Sequence, residues 1–476
     1  MRLLAAGVLL GALALAAPRA LLARGGGGDS YSGGSRSSSG GSYSSDRSYS
    51  SESSPRSGSS SGGGGGFRLM TAAEVRTWLK FMGGLLSLVI VFGGLVAAAD
   101  ARAAASRRRA AAAARQAAAA ALQELRSRDP RFSPEAFLAR AEAVFKKVQE
   151  AWSEGDMTPV VHLLSDGVFE RFQLLLELQR REGRRNAVDQ VRVHQCSVAQ
   201  MRPGARYDVI DVRIDAACRD RYLSVKGGKL LKESSERFQE YWGFVRSAAA
   251  RTKAAPAEGH CPNCGSALAV NDSAVCPQCK SWVDSGEFDW VVAEITQSSA
   301  WRAGAARDGL KTLPADPETT VQGLEDRASM LFWRWQRCLS DAKPAALEGW
   351  CTEAGLRSVM ASGVGKFRYE DCGVGAVTVS RSAVKGGLEQ VEVRVRWAGR
   401  RAKNGSKPGK SKRRATVIAL ARNAGVRAVP HASLRSAHCA GCGAAILPAG
   451  VVCAHCGQGF RDPAAGWVVT ALKTRG

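Results

Sequence analysis

The chain is short of acid. Its 476 residues carry 43 Asp and Glu against 67 Lys and Arg, a formal charge of +24. Such a balance points to a negatively charged partner without choosing among anionic lipid, nucleic acid and an acidic protein face. The shortage is local as well as global. Residues 396–414 hold nine Lys or Arg and no acid, and residues 101–128 hold seven Arg and the single acid Glu124. Residues 25–66 lack any aliphatic side chain and are almost wholly Gly and Ser. That excludes a packed core there, since too little apolar surface is available to offset chain entropy. Phe81–Ala99 lacks charge altogether, which excludes a solvated loop.

What is present in the first third reads as targeting and tether. One early Arg, an apolar run Leu3–Ala17 and small residues to Ala23 form the pattern of a signal peptide over 1–23. A flexible tether follows over 24–70. The uncharged run, with Trp78 and Lys80 before it, makes 78–99 a membrane span of just sufficient length. Arg107, Arg108, Arg109 and Arg115 outweigh Arg76 and Lys80 across that span. The positive-inside rule then puts everything beyond it in the cytoplasm. Residues 100–128 are an Ala/Arg-rich helical linker by propensity.

The chain has 13 cysteines, and eight stand in C-x-x-C pairs. Cys261 and Cys264 precede Cys276 and Cys279; Cys439 and Cys442 precede Cys453 and Cys456. Two thiolates on one tight turn reach a single ion, and a second such turn completes a tetrahedron. This spacing predicts two Zn²⁺ ions. Four thiolates leave no open position, so both sites are expected to be structural. A reducing compartment disfavours disulfides instead.

The two motifs belong to a repeat. A His precedes each first knuckle (His260, His438), a Gly follows it (Gly265, Gly443), and Trp-Val-Val stands 11 residues past each last Cys (Trp290, Trp467). Upstream, Asp129-Pro130 with Phe145, Gln149 and Trp152 matches Asp316-Pro317 with Phe332, Gln336 and Leu339 at one offset, 187. The expected organisation is α+β: a first domain over 129–250 with its ribbon over 258–296, then a second domain over 316–426 with its ribbon over 436–476. In the first, Ser133-Pro134-Glu135 starts a helix that ends at Gly155, and another runs from about Thr158 through Phe172 to Gln179. Strands are expected near 191–201, 206–219 and 236–247. In the second, helices over Leu324–Leu339 and Leu347–Met360 precede strands near 374–382, 388–398 and 415–422.

Asp129-Pro130-Arg131-Phe132-Ser133-Pro134-Glu135-Ala136-Phe137, with Phe145, Val148, Gln149, Trp152, Gly155-Asp156 and Leu163-Leu164-Ser165, resembles the forty-four-kilodalton-subunit-like domain of the mitochondrial inner-membrane translocase. Tyr241-Trp242-Gly243-Phe244-Val245-Arg246, followed by Cys261-Pro262-Asn263-Cys264-Gly265, resembles its prokaryotic, membrane-anchored, zinc-ribbon members. The resemblance, which covers about residues 1–296, implies a cone-shaped α+β domain of the nuclear-transport-factor-two type, and internal comparison extends it to a second such domain. The resemblance also implies a scaffold in protein transport or membrane-protein handling at a prokaryotic inner (plasma) membrane.

Catalysis is not expected. His162, His194 and Asp211 are the candidate acid/base groups of such a cone, but the two copies do not place His or Asp at matching positions. His455 lies inside a knuckle, a candidate to hydrogen-bond the ligating thiolates. Cys196, Cys218, Cys338, Cys351 and Cys372 lack partner spacing and read as core residues. Gly399–Arg414 is too polar to pack and reads as an extended hairpin loop. As an anion-binding finger it would use Arg400, Arg401, Lys403, Lys407, Lys410, Lys412, Arg413 and Arg414. Anionic lipid is its favoured counterpart; without interleaved aromatics, nucleic acid is disfavoured. A protein client is expected, of unread identity.

Overall fold

The structure, a computed structural model, describes residues 71–253, 259–268, 274–303, 310, 312–313, 316–403, 406–427, 434–439, 441–446 and 450–475. The expected signal peptide and nearly all of the Gly/Ser tether lie outside them. By its contacts the chain divides into two units, one over Arg36–Ala119 and one containing Ala120–Gly476.

The described part of the first unit is helical. Helix α1 spans Ala72–Arg128. Among the described residues it is the one helix long and apolar enough to cross a membrane. Its apolar stretch is exposed, Phe81 at 69% and Phe92 at 67%. The helix runs through the expected boundary at residue 100 without a break, because the Ala/Arg segment contains no Gly or Pro to stop it. Its last turn belongs to the second unit, where Leu125 is buried and Arg128 binds Asp208 at 2.8 Å.

The second unit is mixed α/β and holds two four-stranded antiparallel sheets around a continuous core. Ahead of the first sheet come α2 (Pro134–Glu154), a 3-10 turn (Thr158–Leu163) and α3 (Asp166–Arg181). The sheet is β1 (Arg184–Arg202), β2 (Tyr207–Ser224), β3 (Leu230–Ser247) and β4 (Val291–Gln297), in that spatial order. Ahead of the second come α4 (Val321–Asp341), α5 (Ala345–Glu348) and α6 (Glu353–Ala361). That sheet is β5 (Phe367–Lys385), β6 (Leu388–Lys403), β7 (Ser411–Asn423) and β8 (Val468–Arg475).

Local chemistry fixes the helix ends. The Ser133 hydroxyl accepts from the Ala136 amide, Pro134 opens α2, and Gly155 closes it at φ 81°. Thr320 caps α4 in the same way, but its left-handed terminator is Ala342 at φ 57°.

Three expectations need correction. The helix expected from Thr158 to Gln179 is broken at Leu164-Ser165, because Leu164 bridges Val292 and the Ser165 amide donates to the Val292 carbonyl at 3.0 Å. The second counterpart breaks for the same reason, with Cys351 bridging Val469. Trp290-Val291-Val292 and Trp467-Val468-Val469, read as the tails of the ribbons, lead into fourth strands. Each ribbon is therefore a connection between the third and fourth strands of its sheet. Finally, Gly399–Arg414 is not a loop throughout: Arg400–Lys403 lie on β6 and Ser411–Arg414 on β7. The expected strands were short because their outer halves are polar and carry no alternating pattern.

The two halves share fine detail. Register shifts fall after Asp189, Val193 and Val198 in β1, and after Glu370, Val374 and Val379 in β5. The first bulge of each places a non-glycine residue in left-handed geometry, Gln190 at φ 51° and Asp371 at φ 52°. A buried ion pair recurs: Arg246 with Asp129 at 2.9 Å, Arg422 with Asp316 at 2.9 Å. Each of these guanidiniums lies over a Trp ring, Trp290 at 4.6 Å and Trp467 at 4.8 Å.

Candidate metal centres

Each four-cysteine group converges. Within each, the four sulfurs lie within 4.8 Å of one another. Cys261 and Cys279 sulfurs are 3.7 Å apart and Cys264 and Cys276 3.8 Å. In the second group, Cys439–Cys456 is 3.7 Å and Cys442–Cys453 3.5 Å. Tetrahedral bonds of about 2.3 Å put sulfurs about 3.8 Å apart. A disulfide needs about 2.0 Å, so these are not disulfides. Either group could hold one metal ion.

The turns are built alike. The residue after each second Cys donates its amide to the carbonyl of the first: Gly265 at 2.9 Å, Lys280 at 3.0 Å, Gly443 at 2.8 Å and Gly457 at 2.9 Å. All four are left-handed, and only Lys280 is not glycine. Backbone amides inside the turns point at sulfur, from Asn263 to Cys261, Gly441 to Cys439 and His455 to Cys453, each at 3.4 Å. His455 thus contributes its backbone; its side chain is exposed.

The thiols are not equivalent. Burial pushes Cys261 and Cys439 up to about 12. The Ser281 hydroxyl pulls Cys279 down to about 6, and the Cys456 amide pulls Cys453 down to about 6. Ser266, 3.0 Å from the Cys264 sulfur, and Asn263, whose amide reaches Cys279 at 3.7 Å, also serve the first group. In the second, Gln458 lies 3.4 Å from the Cys439 sulfur. None of these was marked in sequence, since a Ser or Gln near a knuckle has no distinguishing pattern.

The ribbons are seated differently. The first packs Cys261, Ala274, Cys276 and Val283 against Val161 of the 3-10 turn. The second inserts its lead-in between a carboxylate of each half, Asp166 on α3 and Asp326 on α4. The Ser436 hydroxyl donates to Asp326 at 2.7 Å, the Ala437 amide to Asp166 at 2.8 Å, and His438 Nδ1 meets Asp166 at 2.6 Å. Asp326 also accepts from Ser165 at 2.5 Å and from the Gly167 amide at 2.9 Å. A side chain at Gly167 would collide with Asp326. Burial pushes Asp326 up to about 8. Trp282 of the first ribbon packs against Gly443 of the second and lies 4.2 Å from the Arg435 guanidinium.

The expected acid/base candidates do not converge. His162 is on the 3-10 turn, and burial lowers it to about 4. His194 is exposed on β1. Asp211 on β2 is held by both Arg202 nitrogens at 2.6 and 2.9 Å and by Trp301 at 3.3 Å. Of the other thiols, Cys218, Cys338 and Cys351 are buried, while Cys196 and Cys372 are half-buried.

A cavity of about 380 Å³ opens beside α2, with Phe132, Phe137, Phe288 and Trp290 on its wall and Arg131, Arg140, Arg251 and Lys253 around it. In the basic segment, Arg400 binds Asp371 at 2.7 Å, Arg401 lies 3.8 Å from the Phe367 ring and Arg414 4.7 Å from Tyr369. Lys403, Lys407, Lys410 and Lys412 are exposed, as is Arg413 on β7.

Residues 118–255 match the model of the Tim44-like domain. The match covers the end of α1 through β3 and stops before the first ribbon. No curated protein matches the chain. Among solved structures, an "Ntf2 like protein involved in plasmid conjugation" is similar at 8% identity over 67% of this chain and 92% of that one, with a TM-score of 0.17.

Proposed function

We propose that this chain is a membrane-anchored, non-catalytic binding scaffold that serves protein transport or membrane-protein handling. In this reading a signal peptide and the span in α1 hold it in a prokaryotic plasma membrane. Two copies of one cone domain then face the cytoplasm, each closed by a structural zinc ribbon. The observation that carries the reading is the pairing of a Tim44-like domain at residues 118–255 with two cysteine groups whose four ligands leave no open coordination position. A closed site holds structure and does no chemistry on a substrate. The shared bulges and ion pairs support a duplication, in which about ten residues were lost in steps. The offset falls from 187 at the helices to 181 at the first bulge (Asp189 to Glu370) and 176 at the buried arginines (Arg246 to Arg422).

The aromatic cavity beside α2 fits an apolar side chain of a client next to an acidic one. A photo-crosslinker in place of Ala136, which lines it, tests the role in cells carrying the full chain. Crosslinks to exported or membrane proteins should increase when export is jammed. Crosslinks that ignore jamming, or that are confined to cytosolic enzymes, would sink the transport reading. Topology is tested separately with reporters fused after Arg128: a cytoplasm-dependent reporter should be active there and an export-dependent one silent.

The exposed lysines of the β6–β7 hairpin favour a second, subordinate reading as an anion-binding finger. Arg400, Arg401 and Arg414 already have partners in the fold, so the exposed Lys403, Lys407, Lys410 and Lys412 would carry it.

A further inference from the structure

The β2–β3 hairpin ends in Val225-Lys226-Gly227-Gly228-Lys229-Leu230-Leu231-Lys232. Gly227 and Gly228 turn the chain at φ 78° and 65°, inside a four-residue loop closed by the Ser224 amide donating to the Lys229 carbonyl at 2.8 Å and the Gly228 amide donating to the Ser224 carbonyl at 3.1 Å. Val225, Leu230 and Leu231 are 50, 49 and 54% exposed. Leu223 is cross-strand to Leu230, and the register slips beside that pair, which leaves Leu231 outside the regular ladder. Lys226, Lys229 and Lys232 are exposed around these side chains, with Glu233 the nearest acid in sequence. An apolar tip ringed by cations is an uncommon thing to leave in water.

The fold does not require it. The corresponding hairpin of the other half, β6–β7, pairs Arg400 with Ser411 where β2–β3 pairs Arg219 with Ser235. Ten residues lie between the first pair and 15 between the second, so the β2–β3 tip is five residues longer. The shorter tip, Lys403 to Lys410, contains no aliphatic residue.

We propose that the β2–β3 tip is a bilayer-docking element: Val225, Leu230 and Leu231 enter the headgroup–acyl boundary while Lys226, Lys229 and Lys232 meet anionic headgroups. Apolar insertion and attraction to anionic lipid add, and each alone is weak. The proposal rests on the membrane-anchored reading, because the span supplies the surface at high local concentration.

The test uses the full chain reconstituted into bilayers containing a lipid with a carbene-generating acyl chain, with adducts mapped by mass spectrometry. Adducts should fall on residues 223–232 as well as on 81–99. Leu230→Ser with Leu231→Ser, or Lys226→Glu with Lys229→Glu, should reduce the tip adducts several-fold and leave those on 81–99 unchanged. Phosphatidylcholine in place of phosphatidylglycerol should reduce them too. Adducts on 81–99 with none on the tip would overturn the docking proposal alone; none on either segment would overturn the anchored reading with it. Protection of the tip from hydrogen exchange in detergent, rising with protein concentration, would assign it to a second copy of the chain and overturn the proposal.

Discussion

Single residues decide whether the two halves and their ribbons stay seated. Asp326 is buried and accepts from two hydroxyls and one amide, and burial raises it to about 8. An acid raised on folding binds its proton more tightly in the folded state. Stability is therefore lost as pH rises from the ordinary aspartate range towards 8, with a slope of up to about 1.4 kcal/mol per pH unit. Asp326→Asn keeps a carbonyl acceptor and cannot ionise. Denaturation midpoints of the variant should vary less between pH 5 and 8 (about that range) than those of the parent; equal slopes would show that Asp326 does not titrate there. Lys280 supplies a second test. It occupies a left-handed position that its three counterparts fill with glycine. Lys280→Gly should stabilise the first ribbon by about 0.5–1 kcal/mol, read as a higher chelator concentration needed to strip metal from it. A lower one would mean that the bond from Lys280 Nζ to the Pro277 carbonyl outweighs the backbone strain.

At the scale of elements, the ribbons work as connectors. β4 follows the first ribbon and β8 the second, and each completes its sheet against β3 or β7. Loss of metal from the first ribbon should therefore release β4 as well as the knuckles. Cys261→Ser with Cys264→Ser should abolish hydrogen-exchange protection at Val291–Gln297 while Val468–Arg475 keeps its own. Protection retained at β4 would make the ribbon an appendage. This connectivity was only partly legible in sequence. The knuckles, the helix caps at Ser133 and Gly155 and the 187-residue offset stand out, because metal ligands and caps demand particular residues at particular spacing. β4 and β8 were hidden in Trp-Val-Val runs too short to signal a strand. The breaks at Leu164-Ser165 and Cys351-Thr352 were hidden for a related reason, since the bridges that cause them come from strands more than 100 residues away.

At the scale of the whole molecule, one long apolar helix, two sheets and two four-cysteine groups share the chain. The carboxylate cluster that receives Ser436 and His438 was out of reach of sequence reading: Asp166, Asp284 and Asp326 lie on three separate segments that only the docked halves bring together. The second ribbon should matter to both halves through it. Loss of Cys439 and Cys442 should expose the first half's Trp282 to solvent, seen as quenching of tryptophan emission that Cys261→Ser with Cys264→Ser does not reproduce in size. Metal content measures the structural role of the two cysteine groups most directly. Full-length protein purified in detergent without chelator should contain two equivalents of zinc, with all eight knuckle thiols shielded from a thiol reagent, and each double Cys→Ser variant should contain one. Zinc-free protein that keeps its exchange protection at both β4 and β8 would contradict it.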